Sequence, residues 1–289
     1  MTADLLVQPL LDLVGALLPF SFAEPEFMRR ALVALLLTAP AAAMAGVPVV
    51  QARMAFFSDA IGHSAFTGVA LGLVLGIDPS LAMLLFGLLV AAAIALVRER
   101  TGLSPDTVVG VFFSFVVALG IAVISARKGL GRSLTAFLFG DPLAATPADL
   151  VAAAAILLAV ACYFAWGWNR LLLLSVHEGV ARTRGVRARA VDVTFALVVA
   201  LAVTAAIRTV GILLVTALLV VPAAAARNVA RSSAGALGVA LAVAVLSSVG
   251  GLALSYHLDT AAGASVVLCA TAAFAVTAAV RAFRGPAAG

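Results

Sequence analysis

The stretch RMAFFSDAIGHSAFTGVALGLVLG, residues 53–76, is apolar enough to lie inside a bilayer, yet it carries a carboxylate at Asp59 and an imidazole at His63. Ionisable side chains at that depth are costly and mark a pathway for an ion or a proton. Residues four apart on a helix share a face, so the two side chains stand one turn apart along one wall. Both are ligand types that Zn²⁺ and Mn²⁺ accept. The pattern points to a membrane channel-forming subunit that passes a divalent transition metal. Two ligands do not fill a tetrahedral shell, and a passing ion has to leave as readily as it enters. Water, a third side chain or a symmetry mate would complete the shell. The plainer alternative is that Asp59 caps the helix start near Arg53 and His63 hydrogen-bonds locally.

The same stretch places a small residue at every fourth position: Ala60, Ser64, Gly68, Gly72 and Gly76. Such a ladder lets a neighbouring helix approach closely. It lies about 100° round the helix from Asp59 and His63. The helix is therefore expected in the bundle interior, packed on one side and presenting ligands on another.

Outward from this segment the whole chain reads as membrane protein. Of its 289 residues, 64% are hydrophobic and 11% charged, and the mean hydropathy is +1.21. That leaves too little polar surface for a soluble domain of this size. Breaking the apolar runs at charged or Gly/Pro clusters predicts spans near 28–50, 56–76, 80–97, 106–125, 149–169, 190–207, 209–226, 234–256 and 261–281. The expected fold is all-α, a polytopic transmembrane bundle of about eight or nine helices. Residues 1–26 are read as an N-terminal extension forming an interfacial or poorly packed helix. Residues 27–283 are read as one membrane domain. Cys162 and Cys269 lie alone in apolar segments and are expected to be packed free thiols.

The net charge of +5 reflects topology rather than a nucleic-acid partner, because the arginines fall at the ends of apolar runs. With residues 170–190 on the cytoplasmic side, that side also receives Arg53, Arg98, Arg100, Arg227, Arg231, Arg281 and Arg284, and in all twelve of the 18 basic residues. The opposite side holds Arg29, Arg30, Arg127, Lys128, Arg132 and Arg208. The N-terminus is then outside and the C-terminus inside. Between spans four and five, part of the outer segment 126–149 is expected to fold back onto the membrane surface.

The cytoplasmic segment SVHEGVARTRGVRARAV, residues 175–191, reads as a solvated connector or as a docking element for another subunit. His177 beside Glu178 is read there as a solvated surface pair rather than a metal site. A phosphate-binding loop needs Gly-x4-Gly-Lys-Ser/Thr, and the one lysine, Lys128, stands in ARKGLG. Any ATP is therefore expected to be hydrolysed by a separate partner, and this chain is not expected to be an enzyme.

With these features in hand, RMAFFSDAIGHSAFTGVALGLVLG resembles the Arg-Met-x-x-x-x-Asp-x-x-x-His stretch of the ZnuB-like membrane permeases of zinc and manganese ABC importers. LTAFLFGD (134–141), GILLVTALLVVPAAAARNVARS (211–232) and LDTAAGASVVLCA (258–270) resemble three further family stretches in the same order. The resemblance implies a metal-type ABC importer permease fold in a bacterial cytoplasmic membrane. It implies a homodimer around a central pathway, with cytoplasmic ABC ATPase subunits below and an extracytoplasmic metal-binding protein above. The family's transit residues carry over onto Asp59 and His63. Its coupling loop is similar to the 170–190 region, through Glu178, Ala181, Gly185 and Val186, with His177 adjoining. Gly179 stands where many relatives carry an acid, and Ala261 and Ala264 where zinc-type relatives often have proline. No permanently bound cofactor is expected; Zn²⁺, or else Mn²⁺ or Fe²⁺, is the implied cargo, moved by alternating access.

Overall fold

The computed structural model describes residues 2–17, 24–126, 142–176 and 187–284. Its helices are α1 (Thr2–Leu17), α2 (Glu26–Gln51), α3 (Phe57–Leu75), α4 (Pro79–Thr101), α5 (Pro105–Ala126), α6 (Pro147–Val176), α7 (Ala188–Val210), α8 (Ile212–Val229), α9 (Ser233–Leu258) and α10 (Ala262–Arg284). A short 3₁₀ turn, Pro142–Ala144, precedes α6. Among the described residues nine helices, α2 to α10, are long and apolar enough to cross a membrane. They coincide with the nine expected spans to within a few residues at most ends. The largest difference is at α6, which continues to Val176 where the cytoplasmic connector was expected from residue 170. The run Leu171–Leu174 favours helix, and Arg170 extends back over the Trp166 ring, 4.8 Å from its centre.

Helix ends follow local chemistry. Asp78 caps α4 by accepting from Leu81 N at 2.9 Å, with Pro79 in the first turn. Ser232 caps α9 through Gly235 N at 3.1 Å. Gly76 ends α3 with φ 71° in the left-handed region, and a Cβ there would meet nothing within 4 Å. This corrects the ladder reading, because Gly76 terminates the helix rather than packing it. Gly76→Ala should therefore cost about 1 kcal/mol through backbone strain alone, read as a lowered unfolding midpoint in detergent, with Gly76→Asn costing less.

The core runs along α2, α3, α7 and α8, where Leu32, Leu35, Phe57, Ile61, Leu214, Leu218 and Leu219 are fully buried. α3 packs on α4 and α5, α8 on α2, α9 and α10, and α4 on α7. α1 rests on α2 and α6 through Val7 and Leu11, which cluster with Val33, Ala34 and Leu150. Cys162 is exposed rather than packed, and Cys269 is half-buried.

Polar contacts join helix ends in two separate sets. Arg98 pairs with Asp192 at 2.7 Å, Arg189 with Glu99 at 3.2 Å, and Arg227 donates to Val50 O at 3.3 Å. At the other end Arg208 donates to Ser80 at 3.2 Å and lies 3.8 Å from Asp149. The arginine counting places the first set at the cytoplasmic face and the second outside, and among the described residues no pair crosses between them.

Candidate functional site

α3 begins at a tight turn. Met54 N donates to Val49 O at 3.0 Å, and Phe57 N donates to Met54 O at 2.9 Å. Just before Met54 the backbone passes through Arg53 at φ 56°. Asp59 and His63 follow in the first two turns of α3. Their depth is fixed by the neighbouring helix: Ser64 lies beside Gly87, the ninth residue of the 23-residue α4. His63 thus lies near the middle of the length of α4, with Asp59 one turn nearer the end that the arginine counting puts at the cytoplasm.

From residue 57 to 70, every α3 side chain is buried except Asp59, His63 and Phe66. Their spacing of four and then three places them on one stripe. Over residues 57–70 α3 is thus covered on every side except along the line carrying its ionisable groups, while Leu73 and Leu75 in its last turn are exposed. That stripe is flanked by Phe113 of α5, whose ring meets His63 edge-on with centroids 5.1 Å apart. On the other side stands Thr216 of α8, whose hydroxyl donates to Leu213 O at 3.2 Å and also faces the Asp59 carboxylate.

The tight contacts of α3 lie elsewhere on its surface. A Cβ on Gly68 would meet Ala82 O at 2.8 Å, and one on Gly72 would meet Ala82 Cβ at the same distance. Ser64 is fully buried and turns its hydroxyl back to Ile61 O at 2.7 Å. Gly62 meets α8, where an added Cβ would come within 2.7 Å of Ile212. Close packing against the α4 backbone on one side and the Ile212 side chain of α8 on another holds the open stripe in place.

Among the described residues no group of three or more His, Cys, Asp or Glu side chains comes together. Asp59 and His63 offer two ligands on one wall, an arrangement able to hold an ion only with water or with groups from outside this chain. The sequence reading had passed over Phe113 and Thr216; for Thr216 the available signal was a lone hydroxyl in GILLVTALLVV. The residues read as a coupling loop, His177, Glu178, Ala181, Gly185 and Val186, lie outside the described residues. So does LTAFLFGD.

Among the described residues, nine helices long and apolar enough to cross a membrane, with a carboxylate and an imidazole on one open stripe, mark a multi-pass membrane protein. The chain belongs to the ABC 3 transport family, whose pattern matches residues 24–281. It is 34% identical over 245 residues to the high-affinity zinc uptake system membrane protein ZnuB of Haemophilus influenzae, covering 84% of this chain and 91% of that protein. To the manganese transport system membrane protein MntC of Halalkalibacterium halodurans it is 30% identical over 251 residues, covering 87% and 86% respectively. Among solved structures, PsaBC from Streptococcus pneumoniae in complex with a Fab is similar, with a TM-score of 0.75 and 28% identity over 92% of this chain and 94% of that one. The protein is therefore a multi-pass permease of a bacterial cytoplasmic membrane. Its family context implies ATP-hydrolysing and substrate-binding partners.

Proposed function

We propose that this chain is the membrane permease of an ABC importer that carries a divalent transition metal ion, Zn²⁺ in preference, into the cytoplasm, and that Asp59 and His63 are its transient ligands. The carrying observation is the α3 stripe: over residues 57–70 the described helices leave open only the line bearing Asp59, His63 and Phe66. A second copy of the chain facing that stripe would close it into a pathway and supply ligands from across the dimer axis. Residues 27–283 form the permease unit in this reading, with 1–26 as an N-terminal extension. The segment containing Glu178, Ala181, Gly185 and Val186 receives the ATPase, and a metal-binding protein loads the outer face. The permease hydrolyses no ATP itself and keeps no bound cofactor; the metal is cargo.

Zinc is preferred because the ZnuB relative has the higher identity of the two relatives named above. Manganese is the second reading, favoured by the MntC relative and by an Asp–His pair that suits either ion. The test is ATP-driven uptake of ⁶⁵Zn²⁺ by the complete transporter in vesicles, with unlabelled Mn²⁺ as competitor. Uptake that needs ATP and is displaced by Mn²⁺ only at large excess is the expected outcome. Equal displacement would move the assignment to manganese, and uptake without ATP or its partner would replace the ABC reading with a proton-coupled carrier.

A further inference from the structure

Arg98 occupies a junction that the metal stripe does not itself explain. It lies at the cytoplasmic end of α4, with only 18% of its side chain exposed. One arm of its guanidinium reaches the Asp192 carboxylate at 2.7 Å, on the second turn of α7. The other arm lies against the Met54 sulfur, 44 residues away in sequence. Met54 is itself core, 3% exposed, and its carbonyl accepts from Phe57 N at 2.9 Å, holding the first residue of α3. Asp59 follows two residues later.

A continuous line of contacts therefore runs from the start of α7, through one guanidinium and one buried methionine, to the start of the helix bearing Asp59 and His63. The turn that Met54 anchors includes Arg53 in the left-handed region, φ 56°, where small changes in backbone angle re-aim the helix that follows. α7 begins at Ala188, directly after the segment read as receiving the ATPase. A second ion pair, Arg189 to Glu99 at 3.2 Å, also ties α7 to α4, but among the described residues no bond runs from it to α3.

We propose that Arg98 is a positioning residue that transmits displacement of the α7 start to the Asp59–His63 helix by gripping Asp192 and Met54 together. The inference rests on the reading above that an ATPase drives this permease. A planar guanidinium suits the task because it holds a carboxylate with one edge and keeps N–H groups for a second contact. An ammonium is a compact point charge whose three donors lack that planar, two-edged geometry.

The test uses the complete transporter in vesicles and reads two quantities separately, the rate of ATP hydrolysis and the ⁶⁵Zn²⁺ moved per ATP. Arg98→Ala should leave hydrolysis running while zinc moved per ATP falls by about tenfold, the size of an ordinary coupling free energy. The exchange Arg98→Asp with Asp192→Arg keeps the ion pair but gives up the Met54 contact, so it should restore assembly without restoring coupling. Arg98→Lys, which keeps the charge and folds, should lower zinc per ATP by about threefold or more. Removing the neighbouring pair, Glu99→Gln with Arg189→Gln, should leave zinc per ATP unchanged. Arg98→Lys with wild-type zinc per ATP overturns the proposal, even where Arg98→Ala fails to assemble. An equal fall in the Glu99/Arg189 variant overturns it too, by showing that any staple between α4 and α7 serves. If wild-type vesicles show no ATP-dependent uptake, the ABC reading itself fails; normal wild-type uptake with fully coupled Arg98 variants fails the Arg98 inference alone.

Discussion

His63→Ala should lower ATP-driven zinc uptake by more than about tenfold while the permease still folds and assembles with its partners. The magnitude follows from the ligand count. Loss even of an outer-shell partner of a metal ligand typically costs 10–100-fold, and here one of two ligands on the wall is removed outright. Folding survives because His63 lies on the half-open stripe rather than in the core, and its packing contact is one edge of Phe113. Asp59→Asn should fall as far, because a carboxamide keeps the shape but surrenders the charge that makes the first oxygen ligand worthwhile. An imidazole binds metal only when neutral, so uptake should decline as the pH is lowered, and His63→Ala should lose that decline along with most of its activity. The measurement is initial ⁶⁵Zn²⁺ uptake against pH for wild type and both variants. Near-normal uptake by His63→Ala would remove the pair from the pathway and leave Asp59 as an acid in the first turn of α3.

What was legible in the sequence divides along physical lines. Spans were legible because the bilayer demands long apolar runs, and punctuation such as Ile77-Asp78-Pro79 or Arg227 to Ser232 is costly inside one. Asp59 and His63 were legible for the same reason: two ionisable groups in an apolar segment have no cheap structural use. Thr216 was not. Thr38 and Thr204 also sit in apolar helices and simply donate to Ala34 O and Ala200 O of their own turns. Composition alone offers no way to separate a hydroxyl that faces a carboxylate from one that does not. Gly76 was misassigned because fourfold spacing continues on paper past the point where the helix stops; the left-handed cap depends on the turn that follows. The contact of Arg98 with Met54 was hidden by 44 residues of separation.

Gly46→Val should be among the most damaging single changes in the protein, although Gly46 touches neither metal ligand nor partner. In the AAAMAGVPVV end of α2 it looks like one small residue among many. In the fold α2 and α8 cross there with backbones touching, and a methyl group on Gly46 would fall inside the carbonyl of Leu219. No rotamer relieves that overlap, because the obstruction is main chain rather than the end of a flexible side chain. Accommodating it requires α2 and α8 to separate, and both are core elements whose Leu35, Val49, Leu218 and Leu219 are fully buried. Overpacking on that scale costs about 3 kcal/mol or more, so little folded permease should be recovered in detergent. Gly110→Ala and Gly238→Ala provide the contrast, since an added Cβ at either meets nothing within 4 Å. Both replace a poor helix former with a good one and should leave stability the same or raise it by up to about 1 kcal/mol. Recovery and unfolding midpoint of the three variants, measured side by side, decide the matter. Because α8 carries Thr216 toward Asp59, partly folded Gly46 variants should also transport poorly, whereas Gly110→Ala should transport normally. A Gly46→Val protein as stable as wild type would mean that α2 and α8 do not cross at this point.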